Sequence, residues 1–151
     1  MKKFISFFAI ALLASLSVCA QSSEQLSKIL KSEKVTFAEA SYLPAIYAKL
    51  VPEEATEEET FKALQDNGYF NSSISPDSPV ALDQLCNIYM KAFGIKGGLF
   101  YSLFKSPRYA FKEFKAKALL PTEADPSMVA SGRDSLDIFN CCFEIIEGEE
   151  K

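Results

Sequence analysis

The chain contains no histidine and no tryptophan. Without histidine a Ser-His-Asp triad, a Cys-His dyad and a His-based metal site each lose a required part. Neither Gly-x-Gly-x-x-Gly nor a P-loop sequence occurs, which removes the phosphate cradles built on those motifs. No low-complexity linker divides the chain, and 151 residues (16.7 kDa) leave room for one domain with a real core, not for a cofactor domain beside a substrate domain. Carboxylates are present, but Glu53, Glu54, Glu57, Glu58 and Glu59 crowd one helix start, where the macrodipole and solvent account for them. A cysteine nucleophile would find no histidine base. The expectation is a protein that is not an enzyme and uses no cofactor or metal.

Hydrophobic residues make up 48% of the chain and charged ones 24%, so it is neither disordered nor collagen-like. Lys2 and Lys3 followed by the apolar run from Phe4 to Leu16 read as a secretory leader, with Val18-Cys19-Ala20 before a cut at Gln21. Leu16-Ser17-Val18-Cys19 also resembles the lipobox of bacterial lipoproteins, with Val18 where Gly, Ala or Ser is usual, so an anchor at Cys19 is the alternative. The expected partition is a signal peptide over 1–20 and a single domain over 21–151, exported to the periplasm or cell envelope of a bacterium. Cleavage at Gln21 leaves Cys86, Cys141 and Cys142, an odd number, so one thiol stays free or pairs between chains. Cys86 lies on the stripe Leu82, Leu85, Tyr89, Phe93, and Cys142 lies with Phe139, Phe143 and Ile146. Both are expected to pack as small hydrophobes.

Apolar spacing and end signals predict an all-α chain. A lead-in helix is expected over 22–32, with Leu26, Ile29 and Leu30 on one face. Thr36-Phe37-Ala38-Glu39 and Thr56-Glu57-Glu58-Glu59 have the form of capping boxes. The first opens a helix with Pro44 as an expected kink, and the second opens one that stops at Asn67-Gly68. Further helices are expected from Leu82 to Phe93, after Ser106-Pro107, and from Ser131-Gly132-Arg133-Asp134. A shift of fifty residues places Phe61-Lys62 on Phe111-Lys112, Pro76 on Pro126 and Ile88-Tyr89 on Ile138-Phe139. A shift of forty-five places Thr36, Glu39 and Leu43 on Ala81, Gln84 and Ile88. The pattern is a small helical bundle of two to three degenerate helix-loop-helix repeats.

On these residues the chain resembles the S-layer homology (SLH) family, whose repeats run helix, loop, helix with a proline-marked loop entering a Thr-Arg-Ala-Glu type motif. Thr36-Phe37-Ala38-Glu39 matches that motif best, and the likeness spans most of residues 33 to 146. The family's basic position is held here by Phe37, Leu82 and Gly132. The resemblance implies a helical bundle that binds cell-wall polysaccharide or peptidoglycan without catalysis.

Charge is unevenly distributed. Between Lys91 and Lys117 seven cations stand against Glu113 alone, a sum of +6, while residues 21–90 and 118–151 each sum to −6. Aromatics interleave the cations, so the segment suits an anionic polymer held by charge and ring stacking. Arg108, Lys105, Lys112, Tyr101 and Tyr109 are the expected glycan-binding residues. The rival reading has the basic stretch complement the acidic ends, with Phe111 and Phe114 in the core. Gly97-Gly98-Leu99-Phe100-Tyr101 is the expected exposed run, a contact loop or a peripheral membrane contact. Partners are then a cell-wall glycan or another envelope protein, the latter making the chain a small interaction module. Nucleic acid is not expected for an exported acidic protein.

Overall fold

A helix start leaves its first backbone N–H groups without internal partners, and this chain meets that need in the same way three times. The computed structural model describes residues 23–149, so the leader and Cys19 lie outside the described residues. At Thr36 the hydroxyl accepts from the Glu39 N–H (3.3 Å), and the Thr36 N–H donates to the Glu39 carboxylate (3.0 Å). Ser131 and Asp134 repeat the exchange at 3.2 and 2.7 Å. At Ala81 only half survives: its N–H donates to Gln84 Oε1 at 3.4 Å, and alanine has no side-chain acceptor. Thr56 and Glu59 complete another full box at 3.3 and 2.8 Å.

The helices so opened are α1 (23–31), α2 (Phe37–Tyr47), α3 (Glu57–Asp66), α4 (Leu82–Ala92), α5 (Leu99–Phe104), α6 (Pro107–Ala116) and α7 (Gly132–Glu149). No strand forms among the described residues, only isolated bridges at Thr36–Pro79 and Ala81–Val129, so the fold is all-α. α2 pairs most extensively with α3 and α4 with α6, giving two helical hairpins. α7 packs across α4 and α2. Pro44 sits inside α2, which continues past it to Tyr47. In α1 only Ile29 is buried, while Leu26 and Leu30 stay exposed, so this short helix is pinned by one side chain rather than by a full apolar face.

The repeats close into a ring. The Val35 N–H donates to the Ala130 carbonyl (2.8 Å), the Ala130 N–H to the Val80 carbonyl (2.8 Å), and the Val80 N–H to the Val35 carbonyl (2.9 Å). All three side chains are fully buried. Two residues further on, Phe37, Leu82 and Gly132 donate to the carbonyls of Ser78, Met128 and Ser32 at 3.0, 2.9 and 2.8 Å. The loop carbonyls thereby satisfy first-turn N–H groups that would otherwise be orphaned, and α2, α4 and α7 diverge from one approximate threefold centre. Near the other ends of these helices Tyr47, Phe93, Phe139 and Phe143 pack together, with Tyr47 stacked on Phe93 (3.6 Å) and Phe143 edge-on to Phe93 and Phe139 (5.0 Å each).

Helix ends obey the same repeat. α2 and α4 close through positive-φ residues Lys49 (57°) and Gly94 (66°), and α3 and α6 through Gly68 (72°) and Ala118 (56°). The following N–H groups of Leu50, Ile95, Tyr69 and Leu119 each reach back five residues at 3.0 Å. The two sequence offsets differ because the connection from α4 to α6 is five residues longer than that from α2 to α3, and α5 occupies that longer connection. The third repeat has no second helix among the described residues. Tyr42 and Asn87, Ala45 and Met90 are buried in the first two repeats, whereas the matching Asp137 and Asn140 of α7 are exposed.

Candidate functional site

Three lysines of the basic segment converge on one side of the second repeat. Lys91 leaves the last turn of α4, Lys96 follows the turn at Gly94, and Lys105 ends α5 in the left-handed conformation (φ 44°). With Tyr69, Tyr101 and Ser102 they line a cleft of about 610 Å³ between the loop after α3 and the start of α5. A second hollow of about 370 Å³ shares Gly68, Tyr69, Lys91 and Lys105 with it and adds Asn71, Gln84 and Asn87. The two form one trough lined by amines, amides and tyrosines.

Lys91 organises this trough. Its Nζ donates to the carbonyls of Gly68 (3.0 Å) and Tyr69 (3.1 Å), which holds the loop of the first repeat against the second. Burial, and then the charge of Lys105, push the Lys91 ammonium below the usual lysine range. An anion in the trough would offset the repulsion between Lys91 and Lys105. Tyr101 is 4% exposed, and its hydroxyl donates to Asn87 Oδ1 at 3.4 Å. Burial pushes that phenol up to about 12, and burial also raises Tyr69.

Of the residues predicted from sequence, Tyr101 and Lys105 lie at the trough. Arg108, Tyr109 and Lys112 lie instead on α6, where Tyr109 stacks with Phe100 (5.6 Å) and Phe104 (5.3 Å) and Lys112 sits 5.3 Å over the Tyr109 ring. The five residues therefore divide between two places. Lys91 and Lys96 belonged to the basic segment but were not singled out. Tyr69 carries no local signal, because it comes from the other repeat and only the hairpin packing brings it here.

The rival reading of the charges finds no support in ion pairing. Among the described residues the sole ion pair joins Lys28 of α1 to Glu57 of α3, at 2.7 Å, and no cation of the segment from Lys91 to Lys117 takes part in one. Phe111 and Phe114, in contrast, are buried as that reading expects. The repeat also yields a counterpart to the trough. A cleft of about 650 Å³ in the first repeat is lined by Tyr42 and Glu57, which match the trough residues Asn87 and Pro107 by repeat position, together with Glu53, Glu54, Glu58 and Lys28. Equivalent places on the two repeats thus carry opposite charge.

The cysteines form no disulfide among the described residues. Cys86 and Cys142 are fully buried, as packing predicts, and burial raises both thiols, Cys142 to about 12. No group of three or more Cys, Asp or Glu side chains with metal-ligating geometry occurs among the described residues. Comparison with family models, curated proteins and solved structures finds no match.

Proposed function

We propose that this chain is a non-catalytic, exported envelope protein that binds an anionic cell-wall glycan in the basic trough of its second repeat. The reading rests on the SLH-like repeat pattern of the sequence, and one observation carries it: three lysine amines meet two tyrosines and several amides in an open trough, within a chain of net charge −4. Amines attract the carboxylates of peptidoglycan stems or acidic sugars, amides exchange hydrogen bonds with hydroxyls, and the half-buried Tyr69 ring offers a face to a pyranose. The matching acidic cleft repels the same polymer, which confines binding to one repeat.

Retention on purified peptidoglycan sacculi tests this. The chain is expected to sediment with sacculi at low salt and to be released as salt screens the amines. Lys96→Glu with Lys105→Glu, both exposed positions, is expected to lower retention by roughly tenfold or more, since each reversed charge near an anion acts over a few ångströms. Failure of the native chain to sediment at low salt removes the glycan reading.

A further inference from the structure

The second repeat carries a feature that glycan binding does not use. α5 turns Leu99 (80% exposed), Phe100 (60%), Leu103 (71%) and Phe104 (56%) outward, while Tyr101 alone anchors it in the core. These are the largest exposures among the exposed hydrophobics, and four of them fall on six consecutive residues. The segment is present only in the second repeat and sits in the extra length that separates the two repeat offsets. Its shape is held: Ser102 Oγ donates to the Lys96 carbonyl (2.9 Å), and Phe100 and Phe104 both stack on Tyr109.

Beside these side chains stand Arg108 and Lys112 of α6, which flank and cover the Tyr109 ring that Phe100 and Phe104 stack on, and neither is ion-paired among the described residues. We propose that α5 is a membrane-surface contact that inserts its apolar side chains among the lipids of an anionic bilayer while these cations meet the headgroups. Charge complementarity selects this occupant. A second copy docked through the same face would bring two sets of unpaired cations together, whereas an anionic bilayer supplies negative charge around an apolar interior. The apolar groups project outward from a single helix, which suits a soft interface. No helix among the described residues is long and apolar enough to cross a membrane, so the contact is with its surface.

The test uses the chain from Gln21, because the apolar leader would itself bind lipid and the buried core among the described residues runs from Ile29 to Ile145. Co-sedimentation with phosphatidylglycerol–phosphatidylethanolamine vesicles is compared with phosphatidylcholine vesicles. Binding is expected to anionic vesicles only, and to fall by roughly tenfold or more both in Leu99→Asp/Leu103→Asp and in Arg108→Glu/Lys112→Glu, given about one decade per 1.4 kcal/mol. Because the chain has no tryptophan, Leu103→Trp provides a single reporter whose emission should shift blue on anionic vesicles. Leu99→Ser/Leu103→Ser, which adds no charge beside the trough, should lose binding to anionic vesicles yet keep native retention on sacculi, which separates this contact from the glycan reading. The proposal is overturned by absence of native binding to anionic vesicles at low salt, or by equal binding of the aspartate variant. It is equally overturned if the same variant abolishes self-association in ultracentrifugation while vesicles bind nothing, which would give the face to a second copy.

Discussion

A methyl group on Gly132 would overlap the backbone carbonyl oxygen of Ile29, so α1 can lie across the start of α7 only because position 132 has no side chain. The Gly132 N–H donates to the Ser32 carbonyl at 2.8 Å in the same contact. Phe37 and Leu82 hold the matching positions in the other repeats and donate to the loop carbonyls of Ser78 and Met128 instead. Gly132→Ala is therefore expected to cost about 2–3 kcal/mol, through backbone displacement of α1 rather than through φ. Thermal unfolding measures the cost, and amide exchange at α1 should rise more than exchange at α4. Unchanged exchange at α1 would contradict the close contact.

The imperfect repeat names its own stabilising substitutions. Ala81 stands where Thr36 and Ser131 cap their helices, and Gln84 already supplies the other half of the box. Ala81→Ser is expected to stabilise by about 1 kcal/mol. Ala118 holds the positive φ that Gly68 holds in the first repeat, and Ala118→Gly should gain roughly 0.5–1 kcal/mol once the added freedom of the unfolded chain is set against the relieved strain. The sites lie in different elements, so denaturant midpoints of the double variant should be close to additive.

Alkaline pH should unfold the protein through its buried phenols. Tyr101 is raised by burial from 10.0 to about 12, and Tyr89, fully buried against Ser135, is raised further. An acid whose folded value lies above its unfolded value contributes stability that is complete below the unfolded value and is lost as pH rises through the folded one. Stability is therefore expected to fall between about pH 10 and pH 12. Absorbance at the tyrosinate band should show Tyr89 ionising only on unfolding. Full ionisation of all six tyrosines in a chain that keeps its helical circular dichroism would refute this.

Thiol reactivity should divide the same way. Cys86 and Cys142 are buried with raised values, and Cys141, half-buried with its Sγ 3.9 Å from the Leu119 carbonyl, is raised by burial and then by Glu144 and Asp137. Of these three, a disulfide reagent near neutral pH should titrate Cys141 alone, and slowly, in the folded protein, and all three in denaturant. Rapid modification of Cys86 or Cys142 in the native protein would show a core more open than this packing allows.

The local signals fixed much of this molecule before any packing was known. Thr36 with Glu39, Thr56 with Glu59 and Ser131 with Asp134 mark helix starts because a short oxygen and a carboxylate three residues apart satisfy backbone donors within one turn. Asn67-Gly68 marks a stop for an equally local reason, the ease of a left-handed residue. The expected helix starts consequently agree with the observed ones to within a residue or two, as do the stops at Asn67-Gly68 and Phe93, while α2 ends at Tyr47, three residues short of the Leu50 that its apolar spacing includes. α5 escaped because six residues of nearly unbroken apolar character have no periodicity to read. The repeats were legible too, at offsets of forty-five and fifty residues, since each copy repeats the same end chemistry.

Tertiary structure decided the rest. Nothing in Val35, Val80 or Ala130 announces that their backbones bond in a closed ring, because hydrogen bonds between peptide groups carry no side-chain signature. Charge arithmetic found the basic segment, yet only packing separated Lys91, Lys96 and Lys105 in a trough from Arg108 and Lys112 beside an exposed apolar helix. Packing also brought Tyr69 across from the other repeat and turned Tyr101 inward while its neighbours Phe100 and Ser102 face out. Local chemistry acts over one helical turn and is written in neighbouring residues. Surfaces are assembled from residues far apart in the chain, and their composition depends on which faces the core has already claimed.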